Sequence, residues 1–229
     1  MSAAFSRYRA QETKLRDRDG REFAGYFNDA ALHSERAVVL VHDFFGLTPH
    51  IRGMASRLAD QGYVVFAPDL YRGRVASTRA EAVDFASHLA WNQVAVELGL
   101  SVSAMAQRTV RLRVAAMGFG MGGAAALVAA AAVPRLNAAV SFYGIPQDVV
   151  VENPRLRVQG HFAVRDTKCT GERVAALEQS LAARRVPSEI HVYDADNGFF
   201  NPLRPEAYSP ANAELAWVRT LQFLGSALA

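Results

Sequence analysis

The chain has 229 residues, 51% apolar and 21% charged, a balance that supports a sizeable core and excludes a disordered chain. Twenty-five Lys and Arg stand against 22 Asp and Glu, a formal net charge of +3, and the basic residues are scattered, so nothing marks a nucleic-acid partner. The one cysteine, Cys169, excludes an intramolecular disulfide and a cysteine-rich metal site; a reducing, cytoplasmic setting with no metal and no cofactor is the expectation.

In chain order, residues 1–10 carry Arg7 and Arg9 but no apolar segment, which argues against a secretory signal. Glu12–Arg16 and Glu22–Phe27, joined through Asp19-Gly20, read as an antiparallel hairpin. Arg36–His42 and Tyr63–Ala67 are continuous β-branched runs of the kind that suits strands covered on both faces. Between them Thr48–Asp60 places Ile51, Met54, Ala55 and Leu58 at helical spacing, and Gly62 ends the helix. Two helices are expected at Ala80–Leu89 and Val94–Met105, then a strand at Leu112–Met117, a helix at Ala124–Ala132 and a strand at Ala138–Tyr143. Leu156–Val164 reads as a strand, Gly171–Arg184 as a helix, Glu189–Tyr193 as a strand and Ala211–Leu224 as the closing helix. The mostly alanine run Ala124–Val133 is too short to span a bilayer, so no membrane partner is expected. Alternating strands and helices imply one α/β domain over residues 1–229, with a mainly parallel, doubly wound sheet flanked by helices and an N-terminal antiparallel hairpin.

Met117–Gly123 reads M-G-F-G-M-G-G, between an expected strand and an expected helix. Gly118, Gly120 and Gly123 fit the dinucleotide pattern G-x-G-x-x-G, but the next strand ends in Ser141-Phe142-Tyr143-Gly144 and lacks the acid that would hold a ribose. The better reading is a nucleophile elbow, the sharp strand-to-helix turn on which hydrolases place Ser or Cys. The elbow's reactive position is Gly120, which has no side chain. Glycine adopts positive φ at little cost, so it relaxes the strain of such a turn.

Other segments fall at the ends of the expected strands. His42-Asp43-Phe44-Phe45-Gly46 closes the first parallel strand, Pro68-Asp69-Leu70-Tyr71 the second, Asp166 follows Leu156–Val164, and Asp196-Asn197-Gly198-Phe199-Phe200 follows the last. Together V-L-V-H-D-F-F-G-L (Val39–Leu47), G-Y-V-V-F-A-P-D-L-Y (Gly62–Tyr71), G-F-G-M-G-G (Gly118–Gly123) and N-G-F-F-N (Asn197–Asn201) resemble the dienelactone hydrolase family of the α/β-hydrolase fold, from about Lys14 to Leu224. The resemblance implies Cys at the position of Gly120, His at that of Asn197 and Glu at that of Asp43; only the acid, Asp166, matches. A triad needs a nucleophile, a base to take its proton and an acid to orient the base, and Gly with Asn supplies neither of the first two.

The resemblance also places an oxyanion hole at the backbone N–H groups of Phe44 and Met121, and a substrate carboxylate against arginines, for which Arg204, Arg72 and Arg74 are candidates. Tyr71 and Tyr143 follow strands at the carboxyl end of the sheet, where ligands bind. Cys169 reads as an incidental thiol, and His161 and His191 as satisfied core or edge histidines. Three functions are consistent with the sequence: a non-hydrolytic protein that binds a small, anionic ligand, an enzyme of altered chemistry that uses Asp43 or a Tyr as acid and base on a carbonyl compound, and a partner subunit for another protein.

Overall fold

The computed structural model describes residues 9–16, 22–29, 34–106, 111–148 and 150–229. β1 (Arg9–Arg16) pairs antiparallel with β2 (Glu22–Asp29), and β1 begins three residues before the expected start because Arg9 still faces Asp29 across the ladder. The expected Asp19-Gly20 turn lies outside the described residues. β2 lies antiparallel against β4 (Val64–Pro68), and from there the sheet is parallel: β4, β3 (Arg36–Val41), β5 (Arg113–Phe119), β6 (Ala138–Phe142), β7 (Arg157–Ala163) and β8 (Ser188–Tyr193).

Alternate residues of β3 explain the two-sided covering. Ala37, Val39 and Val41 pack into one core with Leu98 and Val102 of α3 (Trp91–Ala106), Leu127 of α4 (Met121–Ala132) and Leu177 of α5 (Gly171–Ala183). Val38 and Leu40 pack on the opposite face with Ile51 and Leu58 of α1 (Pro49–Asp60) and with Trp217 and Phe223 of α6 (Pro210–Ala227). All five β3 residues are fully buried, and each such Val or Leu contributes roughly 1.5–3 kcal/mol. The remaining helix, α2 (Arg79–Ser87), is capped by the Thr78 side chain, which accepts from the Glu81 N–H. No helix among the described residues is long and apolar enough to cross a membrane.

The consequence for function lies at the carboxyl edge of the parallel strands. The segments that leave β3, β5, β7 and β8 there carry Asp43, Gly120, Asp166 and Asn197 respectively.

Candidate active-site pocket

β5 ends at Phe119 and α4 begins at Met121, so Gly120 alone makes the turn. Its backbone sits at φ 55° and ψ −114°, a region that side chains enter only with strain. Two hydrogen bonds hold it: Gly120 N–H donates to the Phe142 carbonyl at 2.8 Å, and its own carbonyl accepts from Ala124 N–H at 3.0 Å. Around it the chain is tightly packed. A Cβ on Gly122 would strike the backbone carbonyls of Val41 and His42, so the small residues of the loop bring α4 hard against β3. At Gly120 itself the space is open, and a Cβ would meet no atom within 4 Å.

That open space belongs to a cavity of about 440 Å³ whose wall includes Asp43, Phe44, Met121, Tyr143, Asn197 and Arg204. Volumes of roughly 300–1,000 Å³ are usual for small-molecule sites. On one side stands Asp166, buried just past β7. Its Oδ1 accepts from the N–H groups of Lys168 at 2.7 Å and Cys169 at 2.9 Å, and its Oδ2 accepts from Asn197 Nδ2 at 2.7 Å. Asn197 thus meets the acid as a base would, but an amide can only donate here; it takes no proton at neutral pH.

On the other side stands Asp43, only 8% exposed. Its Oδ1 accepts from Phe45 N–H at 2.9 Å, while no hydrogen bond to a described residue occupies Oδ2. Burial pushes this carboxyl up to about 6, against the Phe45 N–H and the Arg204 charge, which pull it down. Burial and the nearby Asp43 charge push the phenols of Tyr71 and Tyr143 well above their ordinary range, so both stay neutral donors. Arg204 reaches the cavity from the loop after β8. Its Nε donates to Glu206 at 3.0 Å, and the side chain lies so close over Gly198 (φ +93°) that a Cβ there would run into the guanidinium.

Met121 is the first residue of α4, so its N–H has no intrahelical acceptor and carries the positive end of the helix dipole. Phe44 also lines the cavity. The Tyr71 hydroxyl donates to the Phe44 carbonyl at 3.2 Å and lies 3.3 Å from Met121 Sδ, which ties Phe44 and Met121 together.

The dienelactone hydrolase family profile matches residues 23–228. The chain belongs to the dienelactone hydrolase family. A carboxymethylenebutenolidase of Rhodococcus opacus is 31% identical over 204 residues, which span 81% of this chain and 79% of the relative. An Escherichia coli K12 protein described as a candidate carboxymethylenebutenolidase is 32% identical over 205 residues, 81% of this chain and 75% of the relative. Among solved structures, a Klebsiella pneumoniae protein described as a candidate dienelactone hydrolase superposes with a TM-score of 0.83 at 26% identity, covering 95% of this chain and 98% of that one. The architecture is accordingly the α/β-hydrolase fold.

Within this dienelactone hydrolase scaffold most of the expected site residues converge. Gly120, Asn197, Asp43, Phe44, Met121, Tyr143 and Arg204 all line one cavity, with Asp166 directly behind Asn197. Tyr71 does not line it but buttresses it. Arg72 is not among the lining residues: its guanidinium pairs with Glu97 of α3, and its own backbone has a positive φ of 58°. Arg74 likewise lies over the Phe85 ring, 4.3 Å from its centroid. His42 is no acid–base partner for Asp43. It is fully buried, with Nδ1 2.7 Å from the Asp43 carbonyl and Nε2 accepting from Leu70 N–H at 3.2 Å, and burial lowers its pKa.

The sequence reading missed Lys168, Arg173 and Trp91, which also line the cavity. Lys168 follows Asp166 by two residues, a proximity that could have flagged it; Trp91 opens α3 and gave no signal. Cys169 lies in the cavity wall, but burial and the neighbouring Asp166 push its thiol up to about 11, far from a thiolate at neutral pH. Among the described residues no cluster of three or more His, Cys, Asp or Glu could hold a metal.

Proposed function

We propose that this protein binds a small carbonyl compound bearing a carboxylate and does not hydrolyse it. One observation carries the reading: the elbow keeps its backbone and the open space above Gly120, yet neither Gly120 nor Asn197 offers a group that can attack a carbonyl or shuttle a proton. Without nucleophile and base the relay of acyl transfer has no first step. The binding apparatus is made of other parts. The backbone donors at Phe44 and Met121 do not depend on side-chain identity, and they suit a carbonyl oxygen. Arg204 and Lys168 bring positive charge to the cavity wall and suit a carboxylate. The name of the Rhodococcus relative, carboxymethylenebutenolidase, supports a carbonyl ligand that carries a carboxylate.

The test combines binding with turnover. Phenylacetate titrated into the protein in a calorimeter should bind saturably, and p-nitrophenyl acetate should be hydrolysed no faster than in buffer with heat-denatured protein. Saturable esterase activity abolished by Gly198→Leu, which would crowd the pocket beside Arg204, would overturn the reading.

A further inference from the structure

The cavity has a corner that binding alone does not require. Asp43 is a buried carboxylate whose Oδ2 makes no hydrogen bond to a described residue. It is covalently next to Phe44, so it sits within a few ångströms of the carbonyl cradle. The guanidinium of Arg204 spends only Nε on Glu206, and Lys168 makes no ion pair among the described residues, so both have donors to spare for a carboxylate. One stretch of the wall is apolar, formed by Val83 and Ala86 of α2, Trp91 at the start of α3, Ala124 of α4 and Ile145, while Ser87, Arg173, Asn197 and Asn201 add polar groups elsewhere. The cavity therefore has three chemical zones, a cationic one, a carbonyl cradle with a carboxylate beside it, and an apolar arm.

We infer that Asp43 is a general base that enolises 2-oxo acids carrying an apolar arm, with the oxo oxygen held by the N–H groups of Phe44 and Met121. The inference rests on the binding reading above and adds a reaction to it. Asp43 Oδ2 takes a proton from C3 of the bound 2-oxo acid. The C–H electron pair becomes the C2=C3 double bond, and the carbonyl π pair moves onto oxygen, where the two N–H groups stabilise the negative charge. The proton on Asp43 then passes to that oxygen, giving the enol, or returns to C3. Nothing is oxidised or reduced, and no other reactant enters. An aspartate base beside a preorganised oxyanion cradle is sufficient apparatus for enolisation. Neither Gly120 nor Asn197 is asked for chemistry; the missing side chain at Gly120 leaves room for the substrate instead. A buried carboxylate is also a stronger base than one in water, as the upward push on Asp43 reflects.

The experiment uses phenylpyruvate, whose ring, ketone and carboxylate match the three zones. Calorimetry measures its binding, and proton NMR in deuterium oxide follows loss of the C3 protons. The expected result is saturable exchange well above buffer, reduced at least about 100-fold in Asp43→Asn while binding persists. On the unaltered protein, exchange should rise with pH and reach half its plateau near pH 6, where the Asp43 carboxylate forms. The groups facing Asp43 are the guanidinium of Arg204, the phenols of Tyr71 and Tyr143, which burial pushes up, and the His42 imidazole, which burial pushes down. Phenylpyruvate that binds without accelerated exchange overturns the inference and leaves the binding reading standing. Exchange that survives in Asp43→Asn, or a rate flat from pH 5 to 8, overturns it as well. Phenylpyruvate that does not bind removes the binding reading and this inference with it.

Discussion

The two sides of the cavity have kept different things. On the Asp166 side the geometry of a relay persists: an acid at the end of β7, a side chain 2.7 Å from it on the β8 loop, and an elbow between β5 and α4. Its groups are chemically quiet there, an amide and a glycine. On the Asp43 side there is no relay, but a carboxyl pushed up to about 6 stands beside a cation and two neutral phenols. The elbow survives because backbone hydrogen bonds and the close packing of Gly122 on β3 hold it, and none of these needs a nucleophile. Chemistry, in contrast, lives in the side chains, and the base proposed for this protein is Asp43.

Several substitutions sharpen that contrast. The largest expected effect concerns stability at Asp43. Its folded pKa lies above the unfolded carboxylate value, so its protonated form is favoured in the fold. The contribution is favourable below pH about 4 and is lost as pH rises through about 6, after which the ionised group costs stability. Asp43→Asn should therefore raise the melting temperature at pH 7.5, by up to roughly 2–3 kcal/mol of stability, and lose that advantage at pH 4. A variant less stable than the parent at pH 7.5 would show that Asp43 is not held against a desolvation cost.

Next comes Arg204. Arg204→Gln should weaken phenylacetate binding about tenfold or more in calorimetry, because it removes a charge-assisted contact, and should leave the binding of a neutral analogue such as phenylacetamide nearly unchanged. Equal losses for the two ligands would mean that the arginine only shapes the loop over Gly198. The last effect belongs to the quiet side. Gly120→Ala adds a methyl that meets nothing within 4 Å, so its only cost is the strained backbone at φ 55° and ψ −114°, about 1–3 kcal/mol in urea denaturation. A loss several times larger would reveal packing above the elbow.

Much of this arrangement was legible in the sequence. β3 and β4 announced themselves as unbroken apolar runs because both of their faces are covered, and Gly118, Gly122 and Gly123 announced the elbow because close packing tolerates no Cβ at those three positions. What escaped has a physical reason in each case. Arg72 and Arg204 look alike in sequence, but the first pairs with Glu97 of α3 while the second lines the cavity, a long-range difference that no local pattern carries. Trp91 enters the cavity wall from the start of α3, and no local pattern reveals which way a helix end will face. His161 shows the converse. Burial pushes its pKa well below the usual range, yet Tyr193, Gln159 and Thr220 occupy its ring nitrogens in the core. A perturbed group marks a site only where it faces open space, and Asp43 does while His161 does not.

The proposal rests on reading Gly120 and Asn197 as the nucleophile and base positions of a hydrolase scaffold. The direct measurement is p-nitrophenyl acetate hydrolysis by the unaltered protein, the two single variants Gly120→Cys and Asn197→His, and the double variant, side by side. The account predicts a rise of at least about 100-fold in the double variant alone, because the thiol and the imidazole work only as a pair. A folded double variant no faster than the parent, or a parent that already hydrolyses the ester saturably, would contradict it.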